Sequence, residues 1–181
     1  MPWVASSRRA LWISALGFTL AAGGLASACT SSSKSSPRSE LVAVTGPELV
    51  DRVRSMDARF VVVNVWATWC GPCREEFPYI QSVTRSFADQ GVELVFVSAD
   101  FDTERAAAIE FLKSHGADLP SFIKTGDDGA FIEALAPDWS GSIPFTVVFD
   151  DTGRRVKLWQ GRVEEEDLRS TLDTLVSASA G

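Results

Sequence analysis

Cys70 and Cys73, separated only by Gly71 and Pro72, are two thiols near enough in sequence to close and reopen as one disulfide. They come directly after the apolar run Phe60 to Trp66. A strand that ends in such a turn and feeds a helix exposes the first sulfur at the helix N-terminus. There the helix dipole and the free backbone N–H groups favour thiolate over thiol. Cys70 is therefore the candidate nucleophile. Cys73 lies one turn further in, where it is shielded, and is the candidate resolving thiol, suited to attack a mixed disulfide formed at Cys70.

Other uses of this spacing fit less well. A closed zinc site needs four ligands, and besides the pair the chain offers only Cys29 and His115, so no metal is expected. Covalent haem attachment needs His after the second Cys, and Arg74 stands there. A purely structural disulfide across so small a loop would remove little unfolded-chain entropy. His115, near a helix C-terminus, reads as a dipole partner rather than a ligand or base. Asp100 and Asp102 fit either a metal site or, through Asp102 or Thr103, a helix N-cap. There is no phosphate loop, Rossmann glycine pattern or Ser/His/Asp grouping to support another enzyme class.

The elements that must hold the two thiols are legible on either side of them. Thr45-Gly46-Pro47-Glu48 has the form of a capping box, with Leu49, Val50 and Val53 as the apolar stripe of a helix to about Met56. Phe60 to Trp66 is β-branched and apolar except for Asn64, as a strand buried on both faces should be. From Cys73, Phe77, Ile80, Val83 or Thr84, and Phe87 recur at helical spacing until Gly91, and Pro78 within this helix should kink it. Val92 to Ala99 reads as a second strand, Thr103 to His115 as a helix, Leu119 to Ile123 as an extended segment and Asp128 to Leu135 as a short helix. Phe145 to Phe149 and Arg155 to Gln160, joined by the turn Asp150 to Gly153, form a hairpin, and Glu164 to Val176 a final helix with an acidic first turn. The order implies an α/β protein, a layered sheet with helices on both faces.

The first forty residues of the 181 look non-globular, which leaves about 140 for one compact domain, 41–181. Arg8 and Arg9, an apolar stretch from Ala10 to about Ala22 and small residues up to Cys29 form an export signal, 1–28. Leu25-Ala26-Ser27-Ala28-Cys29 resembles a bacterial lipoprotein signal, in which Cys29 is acylated after cleavage; Ser7-Arg8-Arg9 resembles a twin-arginine signal. An uncleaved membrane anchor is the alternative, though Gly, Ser and Thr dilute the stretch. Residues 29–40 then form a lipidated Cys and a flexible tether, with six Ser between Thr30 and Ser39 and no large apolar side chain. The expected location is extracytoplasmic, at a membrane held by a lipid anchor. Formal charge is −7, and loss of the segment bearing Arg8 and Arg9 leaves −9, which argues against nucleic acid as a partner.

Trp69-Cys70-Gly71-Pro72-Cys73, the helix proline Pro78 and the loop Ser142-Ile143-Pro144 together resemble the active site, helix kink and cis-proline loop of thioredoxin. The resemblance covers about Thr45 to Val176. The N-terminal anchor, Glu75-Glu76-Phe77-Pro78 and the longer middle section make the chain more similar to the TlpA/ResA branch. It implies a thioredoxin-like fold, a central mixed β-sheet flanked by helices on both faces. It also implies a membrane-tethered thiol–disulfide oxidoreductase with protein disulfide substrates, apocytochrome c among the candidates, that is re-reduced by a membrane thiol donor of the DsbD/CcdA type. No cofactor is needed beyond the redox-active Cys70–Cys73 disulfide.

The same resemblance suggests further site residues. Thioredoxin has a buried Asp where this chain has Asn64, which cannot exchange protons; Glu76, three residues after Cys73, is the candidate replacement, its alternative being a solvated helix residue like Glu75. A cis bond before Pro144 would leave the Ile143 N–H and carbonyl free for an extended substrate strand. Trp69, Gly71 and Pro72 would border the same groove, and Trp139 is either a rim residue or a core plug. The pair Gly71-Pro72, found in the strongly reducing member of the family, favours a reductant. A net oxidant or isomerase, and a non-catalytic apocytochrome or metal chaperone, remain the alternatives.

Overall fold

The computed structural model describes residues 41–117 and 120–179. The expected signal, the tether and Cys29 lie outside the described residues. The chain enters through β1 (Val42–Val44) and turns into α1 (Gly46–Arg54). The capping box forms as its residues demand, with the Thr45 hydroxyl accepting from Glu48 N and the Glu48 carboxylate accepting from Thr45 N. β2 (Phe60–Trp66) feeds α2 (Gly71–Ser86), and β3 (Val92–Ser98) leads through a 3-10 turn at Asp102–Glu104 to α3 (Arg105–Ser114). Then come β4 (Ser121–Lys124), α4 (Asp128–Leu135), the hairpin β5 (Phe145–Asp150) and β6 (Arg155–Gln160), and α5 (Glu165–Ala178).

The strands form one sheet in the order β1-β4-β3-β2-β5-β6. β1, β4, β3 and β2 run parallel, while β5 is antiparallel to β2 and to β6, so the sheet is mixed. β2, at the centre, is buried along its whole length. Its alternation sorts the core into two layers. Phe60, Val62 and Trp66 face α2, α3 and α5, where Phe77, Ile80, Leu112, Leu168 and Leu172 meet them. Val61, Val63 and Val65 face α1 and α4 with Leu49, Val53, Phe131 and Leu135. Asn64 shares the parity of the first set, which directs its amide toward α2. Phe77 stacks on Phe96 at 4.0 Å between ring centroids and meets Trp66 edge-on at 5.3 Å. Full burial of side chains this size contributes about 1.5–3 kcal/mol each.

The differences from the sequence reading have local causes. β1 was not expected, because three residues of which two are exposed carry no readable alternation; its backbone pairing with β4 is what makes it a strand. α2 begins at Gly71 rather than Cys73, since Cys70 acts as its N-cap. It ends at Ser86, where a 3-10 turn (Ala88–Gln90) takes over, closed by Gly91 at φ +82°. Pro78 lies inside α2 as expected. α1 approaches α4 so closely at Gly46 that an added Cβ would stand 2.7 Å from the Phe131 Cα. No described helix is long and apolar enough to cross a membrane.

Candidate active site

The C-terminal end of β2 delivers Trp69 and Cys70 to the first turn of α2. Cys70 is in extended backbone and its sulfur accepts from Cys73 N at 3.3 Å. Gly71 and Pro72 occupy the first helical positions, where proline's missing N–H is no loss. Cys70 and Cys73 are joined in a disulfide, with Cα atoms 5.3 Å apart. The two differ in access: Cys73 is sealed, while Cys70 is 6% exposed. The order matches the expectation, but Cys70 shows a narrow edge rather than an open tip. Trp69 beside it is 59% exposed, and Gly71 and Pro72 are exposed too.

Glu76 is fully buried, unlike its exposed neighbour Glu75. Its Oε1 accepts from Asn64 Nδ2 at 2.9 Å and its Oε2 from Val163 N at 3.1 Å. Burial pushes the carboxyl up to about 7, against the lowering effect of these two bonds and of the Arg162 charge, while Glu164 adds a small upward push. Asn64 Nδ2 also donates to Thr146 Oγ1 at 2.9 Å, and Asn64 Oδ1 has no hydrogen-bond partner among the described residues. The amide thus gives both its donors to acceptors and leaves its own acceptor unsatisfied, an arrangement that favours the ionised carboxylate.

The loop before α5 is pinned onto this group from outside. Tyr79 Oη donates to Val163 O at 2.7 Å, Arg162 pairs with Glu75 at 2.8 Å, and the guanidinium lies over the Tyr79 ring. Val163 therefore holds its N–H on Glu76 and its carbonyl on Tyr79. Thr146, Val163 and Tyr79 were not singled out in the sequence, because a backbone N–H contributed from far along the chain has no composition signal.

Ile143–Pro144 is a cis peptide, with Pro144 buried and Ile143 half-buried. Among the described residues, no hydrogen bond engages the Ile143 N–H or carbonyl, whereas Pro144 O accepts from Gly161 N. Trp139 is the core plug of the two readings. It is 6% exposed, stacks on Phe145 at 4.1 Å, and anchors the loop by donating Nε1–H to Ser142 O at 2.8 Å.

Neither of the remaining acidic candidates caps α3. Asp102 pairs with Arg105 and does not cap α3, whose N-cap is Glu104. Asp100 is buried and bonds Thr68 and Ser98. His115 sits at the α3 C-cap with Nδ1 2.8 Å from Phe111 O, as a dipole partner should. Among the described residues, no group of three or more His, Cys, Asp or Glu could hold a metal ion.

Comparison with known proteins agrees with this geometry. The redoxin family model matches residues 30–176. Thiol-disulfide oxidoreductase ResA of Bacillus subtilis (strain 168) is 30% identical over 64% of this chain and 60% of its own length. ResA of Bacillus thuringiensis (strain Al Hakam) is 26% identical over 87% of both chains. Among solved structures, a DsbF homologue from Corynebacterium diphtheriae superposes with a TM-score of 0.56 at 26% identity, covering 64% of this chain and 71% of that one. A disulfide at the head of α2, a mixed sheet in thioredoxin-like order and these relatives lead to one assignment: the chain belongs to the redoxin family, as a thioredoxin-fold homologue of the ResA-type thiol–disulfide oxidoreductases.

Proposed function

We propose that the protein works as a reductant of protein disulfides, with Cys70 as nucleophile, Cys73 as resolving thiol and Glu76 as the proton-handling group. The graded access of the two sulfurs, 6% at Cys70 against none at Cys73, carries the reading, since only one can meet a substrate sulfur. The Cys70 thiolate attacks a substrate disulfide, forming a mixed disulfide and releasing one substrate thiolate. Glu76 takes the proton from the Cys73 thiol, and the Cys73 thiolate then attacks Cys70 Sγ. This closes the enzyme disulfide, expels the second substrate thiolate and moves two electrons to the substrate. The proton on Glu76 goes to that leaving sulfur. A carboxyl held near 7 can exchange it in both directions at neutral pH. No bound cofactor enters.

The unengaged Ile143 N–H and carbonyl support docking of an extended substrate segment, bordered by Trp69, Gly71, Pro72 and Pro144. The reducing direction is supported by the central pair Gly71-Pro72. We place the protein outside the cytoplasm, anchored by lipid at Cys29, re-reduced by a membrane thiol donor of the DsbD/CcdA type and serving cytochrome c maturation, with apocytochrome c as client. The sequence signal around Cys29 and the resemblance to the ResA branch support that placement. Insulin reduction by the reduced protein tests the activity, and Cys70→Ala should abolish it. Equilibration with glutathione tests the direction: a potential near about −270 mV supports a reductant, and one near about −120 mV contradicts it.

A further inference from the structure

A cleft of about 370 Å³ opens beside Trp69 and Ile143. Trp69 and the 73% exposed Phe101 are among its residues, and Asp100 lies in its lining although that residue is only 3% exposed. The Asp100 carboxylate grips the turn that carries the nucleophile. Thr68 N donates to its two oxygens at 3.0 and 3.1 Å, and the Thr68 hydroxyl donates to Oδ1 at 2.6 Å. From below, the Ser98 hydroxyl donates to Oδ2 at 2.7 Å. Both oxygens act as acceptors, and among the described residues no cation forms an ion pair with them. Burial of a charge outside any ion pair is costly, and a neutral residue would be the cheaper anchor for a loop N–H, although here the Thr68 and Ser98 hydroxyls are held as well.

The charge is therefore the part that needs a role. Thr68 is two residues before Cys70, and the Cys70 N–H is itself tied to Ala67 O at 3.1 Å. We propose that Asp100 is a positioning residue for the attacking thiol: it clamps the Thr68–Trp69 turn and, by its charge, opposes the thiolate that the α2 N-terminus favours at Cys70. The other charged groups around the cleft are Asp102 with Arg105 and Lys124 with Asp128, each already paired. From α2, Arg74 lies over the Phe111 ring and Glu76 is bound to Asn64 and Val163. Asp100 is thus the buried, unpaired charge behind the nucleophile's turn. Its action keeps the dithiol from becoming too stable relative to the disulfide, which holds the couple on the reducing side.

The inference rests on Cys70 as the attacking thiol. In the full-length reduced protein, the pH profile of Cys70 alkylation and the equilibrium with glutathione are measured for Asp100→Asn, Asp100→Ala and Thr68→Val. Asp100→Asn keeps an acceptor for Thr68 but removes the charge. It should move the alkylation midpoint to lower pH and shift the glutathione equilibrium toward the dithiol by about tenfold. Asp100→Ala should show the same shift and also lose about tenfold in the rate of insulin reduction, as the turn loosens. Thr68→Val should lower that rate without moving the midpoint, and decides the clamp if Asp100→Ala does not fold. An Asp100→Asn protein with wild-type midpoint and equilibrium overturns the inference, even if its melting temperature falls. Insulin reduction by Cys70→Ala is run alongside: if that variant is inert while Asp100→Asn is unchanged, only the inference fails; if it stays active, the reading of Cys70 fails as well.

Discussion

The Asn64 amide nitrogen lies 2.9 Å from Oε1 of Glu76, and both side chains are wholly excluded from solvent. Asn64 is the one polar residue of β2, and its parity on the strand puts it under the first turns of α2. Where the thioredoxin that this chain resembles has an acid on the strand, this chain has an amide there and an acid on the helix. Within the proposed mechanism the amide does not carry the proton; its hydrogen bond to Oε1 sets how readily Glu76 gives it up.

Asn64→Leu should therefore raise the Glu76 pKa from about 7 to a higher value, because a hydrogen bond to a charged group is worth about 1.5–3 kcal/mol, or about one to two pH units. In the proposed mechanism resolution of the mixed disulfide needs Glu76 ionised, so the pH midpoint of that step should rise by the same amount. Stopped-flow measurement of disulfide closure across pH 5 to about 9 checks this. An unmoved midpoint would detach Asn64 from the proton transfer.

Glu76 also links stability to pH. Its folded pKa is raised from 4.5 to about 7, so its contribution is fully present below pH 4.5 and is lost as pH rises through 7. The span corresponds to about 3 kcal/mol. Denaturant unfolding at pH 4.5 and at about pH 8 should show that fall in wild type, and Glu76→Gln should flatten it. The same variant should slow disulfide closure at neutral pH. Equal pH slopes in the two proteins would return Glu76 to an ordinary structural role.

Much of this was legible in the chain. The capping box at Thr45 and Glu48, the strand Phe60–Trp66 and the helix Asp128–Leu135 were readable because local chemistry alone specifies them. Cys70 and Cys73 stood out by their spacing, and the loop ending in Pro144 by its resemblance to the cis-proline loop of thioredoxin. Asn64 announced itself by breaking an apolar run. What did not show was whatever depends on a partner far along the chain. The burial of Glu76 against Glu75, one residue away, is decided by Val163 N and Asn64, and β1 exists only because β4 pairs with it. Asp100 sat in plain view, yet its partner Thr68 lies 32 positions earlier, so capping and metal binding were the nearest local readings.

Phe77 ties the active-site helix to the sheet through its contacts with Phe96, Trp66 and Phe111. Phe77→Ala should destabilise the fold by about 3–5 kcal/mol, read by urea unfolding. By contrast, Arg162→Ala removes an ion pair whose members are 40% and 66% exposed, and should cost under about 1 kcal/mol. A larger loss in the second variant than in the first would mean that the loop before α5, not the aromatic layer, holds α2 in place.

The division of labour between the two sulfurs is tested most directly by arresting the reaction. Cys73→Ser protein, reduced and mixed with a disulfide-bonded substrate peptide, should accumulate one peptide per protein chain, and mass spectrometry of the digest should place it on Cys70. Cys70→Ser should accumulate none, because Cys73 has no accessible surface. An adduct of equal yield on Cys73 in the Cys70→Ser protein, or none on Cys70 in the Cys73→Ser protein, would contradict the account.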